Sequence, residues 1–284
     1  MSEITNKKLE LFSSHKNELR VDTCREFNFL DNKNLDAGID YSKELQFTPD
    51  FTIDDNGKIY KGKTGELIPD NEYVRNGVTY QTDRNGQIVS WKATLNKVLP
   101  ETERDEDAQK RAGGKDRLVG DDGGHLEACS LGGASGNENL VAMRHTINKG
   151  DYKICENRIV GRIGNGYEVN DEGAIYRDNP ASTRPTRIER TISYDDTIQN
   201  WYFDNTEGST YYLEGLKNVL SERNYSNLEN CIKDMKSDGK IVSLTSVCKE
   251  MDSFGNIKNV TVGLKDESVS KGGKIYKKFN IIYN

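Results

Sequence analysis

Turns of the Asn-Gly kind, each set between short runs that alternate apolar and polar residues, constrain this chain most strongly. FTIDDNGKIYKG (51–62) carries the first turn. GVTYQTDRNGQIVSW (77–91) carries the second, with Val78 and Tyr80 alternating before it. A third turn lies at SFGN, residues 253–256. Because Asn-Gly favours the tight turn of a β-hairpin, the sequence predicts antiparallel β-structure.

One amphipathic helix is predicted from Asn148 to about Ile163. Apolar residues recur there at intervals of three and four positions, which places them on one helix face. Gly164-Asn165-Gly166 then ends the helix. The apolar face consists of Tyr152, Cys155, Ile159 and Ile163.

The segments predict an α+β protein in three parts. Residues 1–50 are polar with little periodicity and predict an N-terminal arm. Residues 51–207 predict a central domain with an antiparallel sheet, in which the charged stretch 100–117 is a solvated loop or exposed helix and the Gly-rich stretch 118–147 is irregular. Residues 208–284 read as two short helices followed by three strands, which predicts a separate C-terminal ααβββ accessory domain.

The overall charge limits the kind of partner. With 40 Lys and Arg against 46 Asp and Glu, the formal net charge is −6. A protein that coats a long stretch of nucleic acid usually carries a basic surface. An enzyme that grips a few phosphates needs only a local basic cluster, and the densest one in the sequence comprises Arg158, Arg162, Arg177, Arg184, Arg187 and Arg190. These arginines either line a groove for phosphate or decorate the surface of strands.

The cysteines and the apolar pattern bear on location. Five cysteines occur without a CxxC pair, which argues against a zinc site and favours reduced thiols in a reducing cytoplasm. There is no apolar run of about 18 residues, so no membrane span is expected. MSEITNKKLELF lacks the apolar core of a signal peptide. The expected route is secretion, or delivery into a target-cell cytoplasm, without a classical signal, and the chain is compatible with being a fragment of a longer protein.

His125 is the first candidate for chemistry. It lies in GDDGGHLEACSLGG and is one of 3 histidines; His15, in the polar arm, is given no role. The glycines allow close backbone approach and positive φ. Imidazole is the side chain best suited to proton transfer near neutral pH. The segment therefore presents either a general base or a surface loop that happens to contain histidine.

Oxygen donors follow in GNENLVAMRHTINKGDYKICEN. Asn148 and Glu156 are eight residues apart, which is about two helical turns and places both on one face. An amide oxygen together with a carboxylate acting through water suits Mg²⁺, which keeps several waters. Such pairs are also common on ordinary helix surfaces, and His145 either flanks this site or is a packed or solvent-facing residue.

Together these segments resemble the DNA/RNA non-specific endonuclease family, the ββα-metal nucleases, and most closely the branch found as toxin domains in bacterial antagonism. The resemblance covers about Tyr80 to Asn205. It depends on YQTDRNGQIVSW, GGKDRLVGDDGGHLEACSLGG, NENLVAM, INKGDYKICEN and the stretch around RPTRIERTISY, in that order. It implies a ββα-metal nuclease core with an antiparallel sheet.

The resemblance also implies roles. His125 matches the general base, Asn148 the asparagine that ligates the metal directly, and Glu156 the acid that holds metal-bound water. Asn139 matches a second asparagine beside the site, which orients the loop or the base. Arg117 falls where this branch places a basic residue, for which phosphate contact is expected.

One position departs from the family pattern. Asp122-Gly123-Gly124-His125 stands where the family has Asp-Arg-Gly-His, so the arginine is missing and Arg117, Lys153 and Arg158 are the candidates to replace it. Asp121 and Asp122 are interpreted as holding the turn or orienting His125. The residues expected to contact substrate are Arg158, Lys153 and Asn139.

The implied function is an endonuclease that requires Mg²⁺ or Mn²⁺ and cleaves DNA, and potentially RNA, with little sequence preference. Neutral His125 would take a proton from water, so activity should fall below about pH 6 if its pKa is near the model value of about 6.5. As a toxin or effector it would need a cognate immunity protein. Two alternatives stay open: an HNH-type nuclease with further histidine ligands, suggested by ENLVAMRHTINK, and an inactive nuclease-like module that docks a partner or nucleic acid.

Overall fold

The computed structural model describes residues 51–62, 65–100, 104–206 and 215–266, together with the backbone of residues 276–282. The predicted N-terminal arm and His15 lie outside the described residues. Among the described residues, no helix combines the length and the apolar character that crossing a lipid bilayer would require.

The helices and strands follow one another in a mostly β order. The strands are β1 (Thr52–Ile53), β2 (Ile59–Lys61), β3 (Glu72–Arg75), β4 (Val78–Thr82), β5 (Ile88–Leu95), β6 (Asp121–His125), β7 (Leu140–Arg144), β8 (Val169–Tyr176), β9 (Arg187–Tyr194), β10 (Thr197–Asp204), β11 (Val242–Asp252), β12 (Ile257–Asp266) and β13 (Tyr276–Ile282). The helices are α1 (Glu106–Arg111), α2 (Tyr152–Gly164) and α3 (Glu222–Ser237).

Nine of these strands form one antiparallel sheet in the order β13-β12-β11-β10-β9-β8-β5-β4-β3. The pairs β1-β2 and β6-β7 are separate two-stranded ladders. The three predicted hairpins are confirmed as β1-β2, β4-β5 and β11-β12. A further Asn-Gly turn, with Asn76 and Gly77 at positive φ, joins β3 to β4. The predicted α+β class with an antiparallel sheet is therefore confirmed.

Two apolar clusters cover the sheet. The first contains the predicted helix face, Tyr152, Cys155, Ile159 and Ile163, packed on the sheet residues that include Trp91. The second contains apolar residues of α3 packed against β11 and β12. Val247 belongs to the second cluster and the next residue, Cys248, to the first. Successive strand residues point to opposite faces, so α2 and α3 cover opposite faces of the sheet at β11.

The C-terminal residues continue the same sheet. β10 pairs with β11 from Thr197 opposite Asp252 to Phe203 opposite Ser246. The three predicted C-terminal strands are confirmed. The second predicted helix is α3. The first falls partly on residues 207–214, outside the described residues, and its described part contains a short 3₁₀ turn, Leu216–Asn218, where an α-helix was predicted. The division of the chain into domains at residue 208 stays a prediction.

Two local predictions need correction. The helix does not run unbroken from Asn148, because a wide turn over Ile147–Asp151 precedes α2 and Gly150 has non-helical angles (φ −107°, ψ −108°). The Gly-rich stretch is not wholly irregular either, because it contains the β6-β7 ladder. The glycines of β6 serve close packing: a Cβ on Gly123 would lie 2.3 Å from the Gln109 carbonyl oxygen of α1.

Candidate active site

One cavity of about 420 Å³ is lined by residues of β6, of α1 and of the turn that precedes α2. His125, Asn148 and Glu156, the three residues predicted to carry the chemistry, all line it. The lining contains three acidic and five basic side chains, so this is a local basic cluster in an acidic chain. The basic residues are Arg104, Lys110, Arg117, Lys149 and Lys153.

His125 ends β6, opposite Leu140 of β7, and is half-buried rather than exposed. Its ring makes a hydrogen bond with the Ser135 backbone, which raises the pKa and so is donated to the Ser135 carbonyl. Nε2 is buried and has no hydrogen-bond partner among the described residues. Burial, followed by the nearby charges of Arg104 and Lys149, lowers the pKa of His125 to about 4. The ring is therefore neutral at pH 7, and Nε2 carries the lone pair of a base.

Asp122 fixes the amide of Asn148. Asn148 donates from Nδ2 to Asp122 Oδ2 at 2.9 Å, and His145 Nδ1 lies 3.0 Å from the same oxygen. Because the amide nitrogen is used in this way, Oδ1 is the atom of Asn148 that is oriented to act as a ligand. A Cβ on Gly124 would lie 3.2 Å from this oxygen, so Oδ1 lies against β6 next to His125. Asp122 thus orients Asn148 and His145, not His125 as the sequence suggested.

Glu156 and Lys153 meet at the cavity wall. Glu156 lies in α2 and is buried, and its Oε2 is 3.2 Å from Lys153 Nζ. The lysine side chain is about half exposed and reaches the same cavity. This pair places a carboxylate and an accessible ammonium side by side at the cavity.

Arg117 holds the backbone of the site together. Its guanidinium donates to the carbonyls of Gln109, Lys110 and Ala112 at the end of α1 and to the Asp121 carbonyl of β6. A cation that satisfies terminal carbonyls in this way stabilises a helix C-terminus. We therefore correct the predicted catalytic phosphate contact: Arg117 lines the cavity, but its Nη atoms are bound to backbone.

Two predicted substrate-binding residues lie away from the cavity. Asn139 is fully buried, accepts from the Glu127 amide and donates to the carbonyls of Glu127 and Ala134. It therefore holds the loop that follows His125, which was the other interpretation of this asparagine. Arg158 lies over the ring of Trp201, 5.0 Å from its centroid, and does not line the cavity. Substrate contact by these two residues is not compatible with their positions.

A buried cluster of charged residues contacts the loop that follows His125. Arg190, Asp171 and Glu127 are each fully buried. Arg190 Nε lies 2.9 Å from Asp171 Oδ1, and its Nη2 lies 2.9 Å from Glu127 Oε1. Arg190 Nη1 and the Tyr152 hydroxyl both donate to the carbonyl of Leu126, the residue after His125. Burial raises the pKa of Glu127 well above its usual value, against the opposing effect of Arg190.

The arginines of the dense region contact other protein groups. Arg184 makes a two-pronged pair with Asp121, at 2.7 Å and 3.1 Å, and both are buried. Arg187 stacks on Tyr176, with its guanidinium carbon 3.8 Å from the ring centroid. The remaining members likewise contact protein groups: Arg158, Arg162, Arg177 and Arg190.

Sequence reasoning missed three basic residues of the cavity. Lys149 directly follows Asn148, so its place beside the predicted ligand was available from the sequence. Arg104 and Lys110 belong to PETERDEDAQKR, where acidic neighbours hide them. The structure turns this stretch into α1, capped by Asp105 and packed through the buried Ala108, which brings its basic side chains to the cavity rim.

Fold and site together define a class. The order β6, β7, α2 is a ββα unit, with the histidine at the end of the first strand, the asparagine before the helix and the glutamate within it. This is the arrangement of a ββα-metal nuclease core. Residues 69–195 match the model of the DNA/RNA non-specific endonuclease family.

Relatives share the same part of the chain. The type VII secretion system protein EssD of Staphylococcus aureus (strain USA300) is 32% identical over 161 residues, which is 54% of this chain and 26% of EssD. Probable deoxyribonuclease RhsA of Dickeya dadantii (strain 3937) is 34% identical over 119 residues, which is 41% of this chain and 8% of RhsA. The chain thus spans about a quarter or less of the length of these relatives.

Solved structures of NucA from Streptococcus agalactiae are also similar. The form with no metal bound has a TM-score of 0.39 at 14% identity and covers 52% of this chain and 80% of its own. The form with a magnesium ion bound has a TM-score of 0.37 at 14% identity and covers 47% and 72%.

Proposed function

We propose that this chain is a metal-dependent endonuclease that hydrolyses phosphodiester bonds of DNA with His125 as the general base. The observation that carries the proposal is that Nε2 of His125 is buried and has no hydrogen-bond partner among the described residues. His125 lines the same cavity as Asn148 and Glu156. A buried polar atom without a partner costs about 1–3 kcal/mol. Such an atom is retained where a water or substrate completes the site.

The residues present fit a hydrated divalent cation. A zinc site usually needs three or more ligands from His, Cys, Asp and Glu. No such group occurs among the described residues. Asn148 offers an oriented amide oxygen, and the Glu156 carboxylate lines the same cavity. Mg²⁺ and Mn²⁺ accept oxygen ligands, and Mg²⁺ keeps several waters. We assign Asn148 as the direct ligand and Glu156 as the holder of metal-bound water.

The protein groups then divide the reaction among themselves. His125 Nε2 takes the proton from the attacking water, while the Ser135 carbonyl holds the opposite ring nitrogen as the N–H donor. When bound, the cation supplies charge stabilisation to the phosphate and the departing 3′ oxygen. Lys153, Lys149 and Arg104 offer positive charge to the phosphate backbone. Contacts of this kind read no bases, so cleavage has little sequence preference.

The two finer parts of the proposal draw on the relatives. The likeness to RhsA, a probable deoxyribonuclease, favours DNA as the substrate, with RNA as the second substrate to be compared. The likeness to EssD, a type VII secretion system protein, supports a role as a secreted antibacterial effector, delivered into a target-cell cytoplasm without a classical signal peptide. An effector of this kind requires a cognate immunity protein in the producing cell.

The main test is plasmid cleavage by the full chain with Mg²⁺ or Mn²⁺, with and without EDTA. His125→Ala should lower the cleavage rate by about 10²–10⁴-fold, the usual contribution of a general base. His15→Ala, a change at a histidine given no role, serves as the matched control. Wild-type protein that leaves plasmid intact, or an alanine variant at residue 125 that cleaves as fast as its parent, would overturn the proposal.

Substrate and biological role have their own tests. Equal phosphate concentrations of plasmid and of ribosomal RNA compare the two substrates, and faster RNA cleavage would reject the DNA preference. Expression inside a bacterial cytoplasm should stop growth, whereas expression of His125→Ala should not. Growth arrest that is equal for both chains would reject nuclease-based toxicity.

A further inference from the structure

The C-terminal strands reach the active-site turn through one carboxylate. Asp151 ends the turn that carries Asn148, and its side chain is buried. Its Oδ2 accepts hydrogen bonds from Thr245 Oγ1 at 2.6 Å and from Ser246 Oγ at 2.8 Å. Both hydroxyl residues belong to β11, well beyond residues 69–195, which match the family.

A β-bulge makes this double contact possible. In a regular strand, neighbouring side chains point to opposite faces, so two successive hydroxyls cannot meet one carboxylate. In β11, Leu244 pairs with Leu264 and Ser246 pairs with Gly263, which leaves Thr245 as an extra residue. A bulge of this kind re-aims a side chain and is common next to active sites. Here it turns Thr245 and Ser246 toward the same face.

The apolar residues of β11 are also displaced by one position at the bulge. Before the bulge Leu244 lies in the apolar cluster of α3, and after it Val247 does. Three positions, instead of the usual two or four, separate these two residues of one face. The bulge therefore keeps the packing with α3 while it presents both hydroxyls to Asp151.

Gly263 of β12 completes the pocket around the carboxylate. A Cβ at this position would lie 2.3 Å from Asp151 Oδ2 and 2.5 Å from Thr245 Oγ1. Any side chain here would therefore displace the carboxylate. The two strands are shaped around Asp151 by a bulge on one and an absent side chain on the other.

We propose that Thr245 and Ser246 are positioning residues that act through Asp151 to hold Asn148 in place for the metal. The inference rests on the proposed function. The turn needs an outside anchor because Gly150 breaks its helical geometry between Asn148 and Asp151. Asp122 fixes the amide at one end of the turn, and β11 fixes the carboxylate at the other. The C-terminal strands are in this way part of the catalytic unit.

The test compares the wild-type full chain with a double variant that carries both Thr245→Val and Ser246→Ala. Mn²⁺ binding is measured directly by calorimetry and by electron paramagnetic resonance, and plasmid cleavage is measured over a Mg²⁺ series. Loss of groups that orient a metal ligand costs about 10–100-fold in metal affinity. We expect a weakening in that range, with cleavage recovering at high Mg²⁺ and the KM for DNA unchanged.

Two controls separate positioning from stability. Thr82→Val removes a buried hydroxyl that donates to the Ile68 carbonyl at 2.6 Å, far along the chain from the site. It should lower thermal stability without changing Mn²⁺ affinity. Thr245→Ser keeps the hydroxyl and should bind Mn²⁺ with the affinity of the wild type. If the double variant does not fold, Ser246→Ala alone and Gly263→Ala give the same comparison, with Gly161→Ala, which meets open space, as the glycine control.

The outcomes distinguish the two proposals. Wild-type protein that binds Mn²⁺ but cleaves nothing rejects the proposed function and leaves the metal-affinity comparison decisive for positioning. Active wild-type protein together with folded β11 variants of unchanged Mn²⁺ affinity overturns the positioning role. A Gly263→Ala variant that binds Mn²⁺ as tightly as Gly161→Ala would overturn it as well.

Discussion

The molecule has two basic regions that differ both in sequence and in structure. The arginines between residues 158 and 190 are close together in the chain, but those described above pair with carboxylates, carbonyls or aromatic rings. The cavity cations come from three separate segments, and four of the five are exposed: Arg104, Lys110, Lys149 and Lys153. What each cation contacts, and not how many occur together, decides which region can meet phosphate.

The largest effect that we expect is a loss of stability when Arg190, in the arginine region, is replaced. Arg190→Met should lower the free energy of unfolding by about 3–5 kcal/mol, because it leaves Asp171 and Glu127 buried without their cation. Urea unfolding followed by circular dichroism measures this loss. Arg187→Met, at a partly exposed residue of the same strand, is the control. A loss below about 1 kcal/mol, within the range of exposed pairs, would show that the buried cluster is not an anchor.

The cavity cations should behave in the opposite way. Lys149→Ala and Lys153→Ala should each weaken DNA binding and reduce the slope of log affinity against log salt by about one, because each removes one phosphate contact. Stability should change by less than about 0.5 kcal/mol, as for other surface substitutions. Binding titrations at several salt concentrations in Ca²⁺, with unfolding curves in parallel, measure both. Unchanged salt slopes would place the DNA elsewhere on the molecule.

Burial and two of the cavity cations together set the pH range over which His125 is neutral. The pKa of His125 is lowered from 6.5 to about 4, first by burial and then by Arg104 and Lys149. The neutral, active form therefore persists below pH 6, and the acid limb of kcat/KM should lie nearer pH 4–5 than the sequence predicted. Lys149→Ala should move this limb to higher pH. A wild-type limb centred near 6.5 would contradict the burial of the ring.

The shift of the His125 pKa also has a consequence for folding. The unfolded chain takes up the proton at its ordinary pKa, before the folded chain does. The folded state should therefore lose stability as the pH falls from 6.5 toward 4. His125→Asn should lose less stability over this window, which denaturant unfolding at several pH values would measure.

Much of the fold was predictable because its signals are local. Asn-Gly turns mark the hairpins β1-β2, β3-β4 and β4-β5. The spacing of Tyr152, Cys155, Ile159 and Ile163 marks the buried face of α2. His125, Asn148 and Glu156 were predicted from separate motifs to share a site, and all three line one cavity. Tertiary partners were not predictable: Arg117 and Arg158 were expected at phosphate, yet one binds carbonyls and the other a Trp ring. Nothing in the local sequence shows where a long, flexible cation ends.

The continuity of the sheet escaped prediction for a related reason. The change in texture after residue 207 suggested a separate domain, because two helix patterns and then three strand patterns follow one another there. Pairing between β10 and β11 joins the two ranges, and the Asp151 contact links sequence positions about one hundred residues apart. Long-range pairings of this kind leave no periodic mark in either partner.

The smallest effect is expected from Arg162, a partly exposed member of the arginine region. Arg162 lies over Tyr194, with its guanidinium carbon 4.7 Å from the ring centroid. A cation–π contact at such a site is worth about 0.5–1 kcal/mol, so Arg162→Gln should cost about that much stability. Cleavage rate and the salt slope of DNA binding should stay at wild-type values, because this side chain is engaged by a ring and lies outside the cavity lining. A salt slope lowered by one in Arg162→Gln would mean that the arginine region also contacts phosphate and that the contrast between the two regions is wrong.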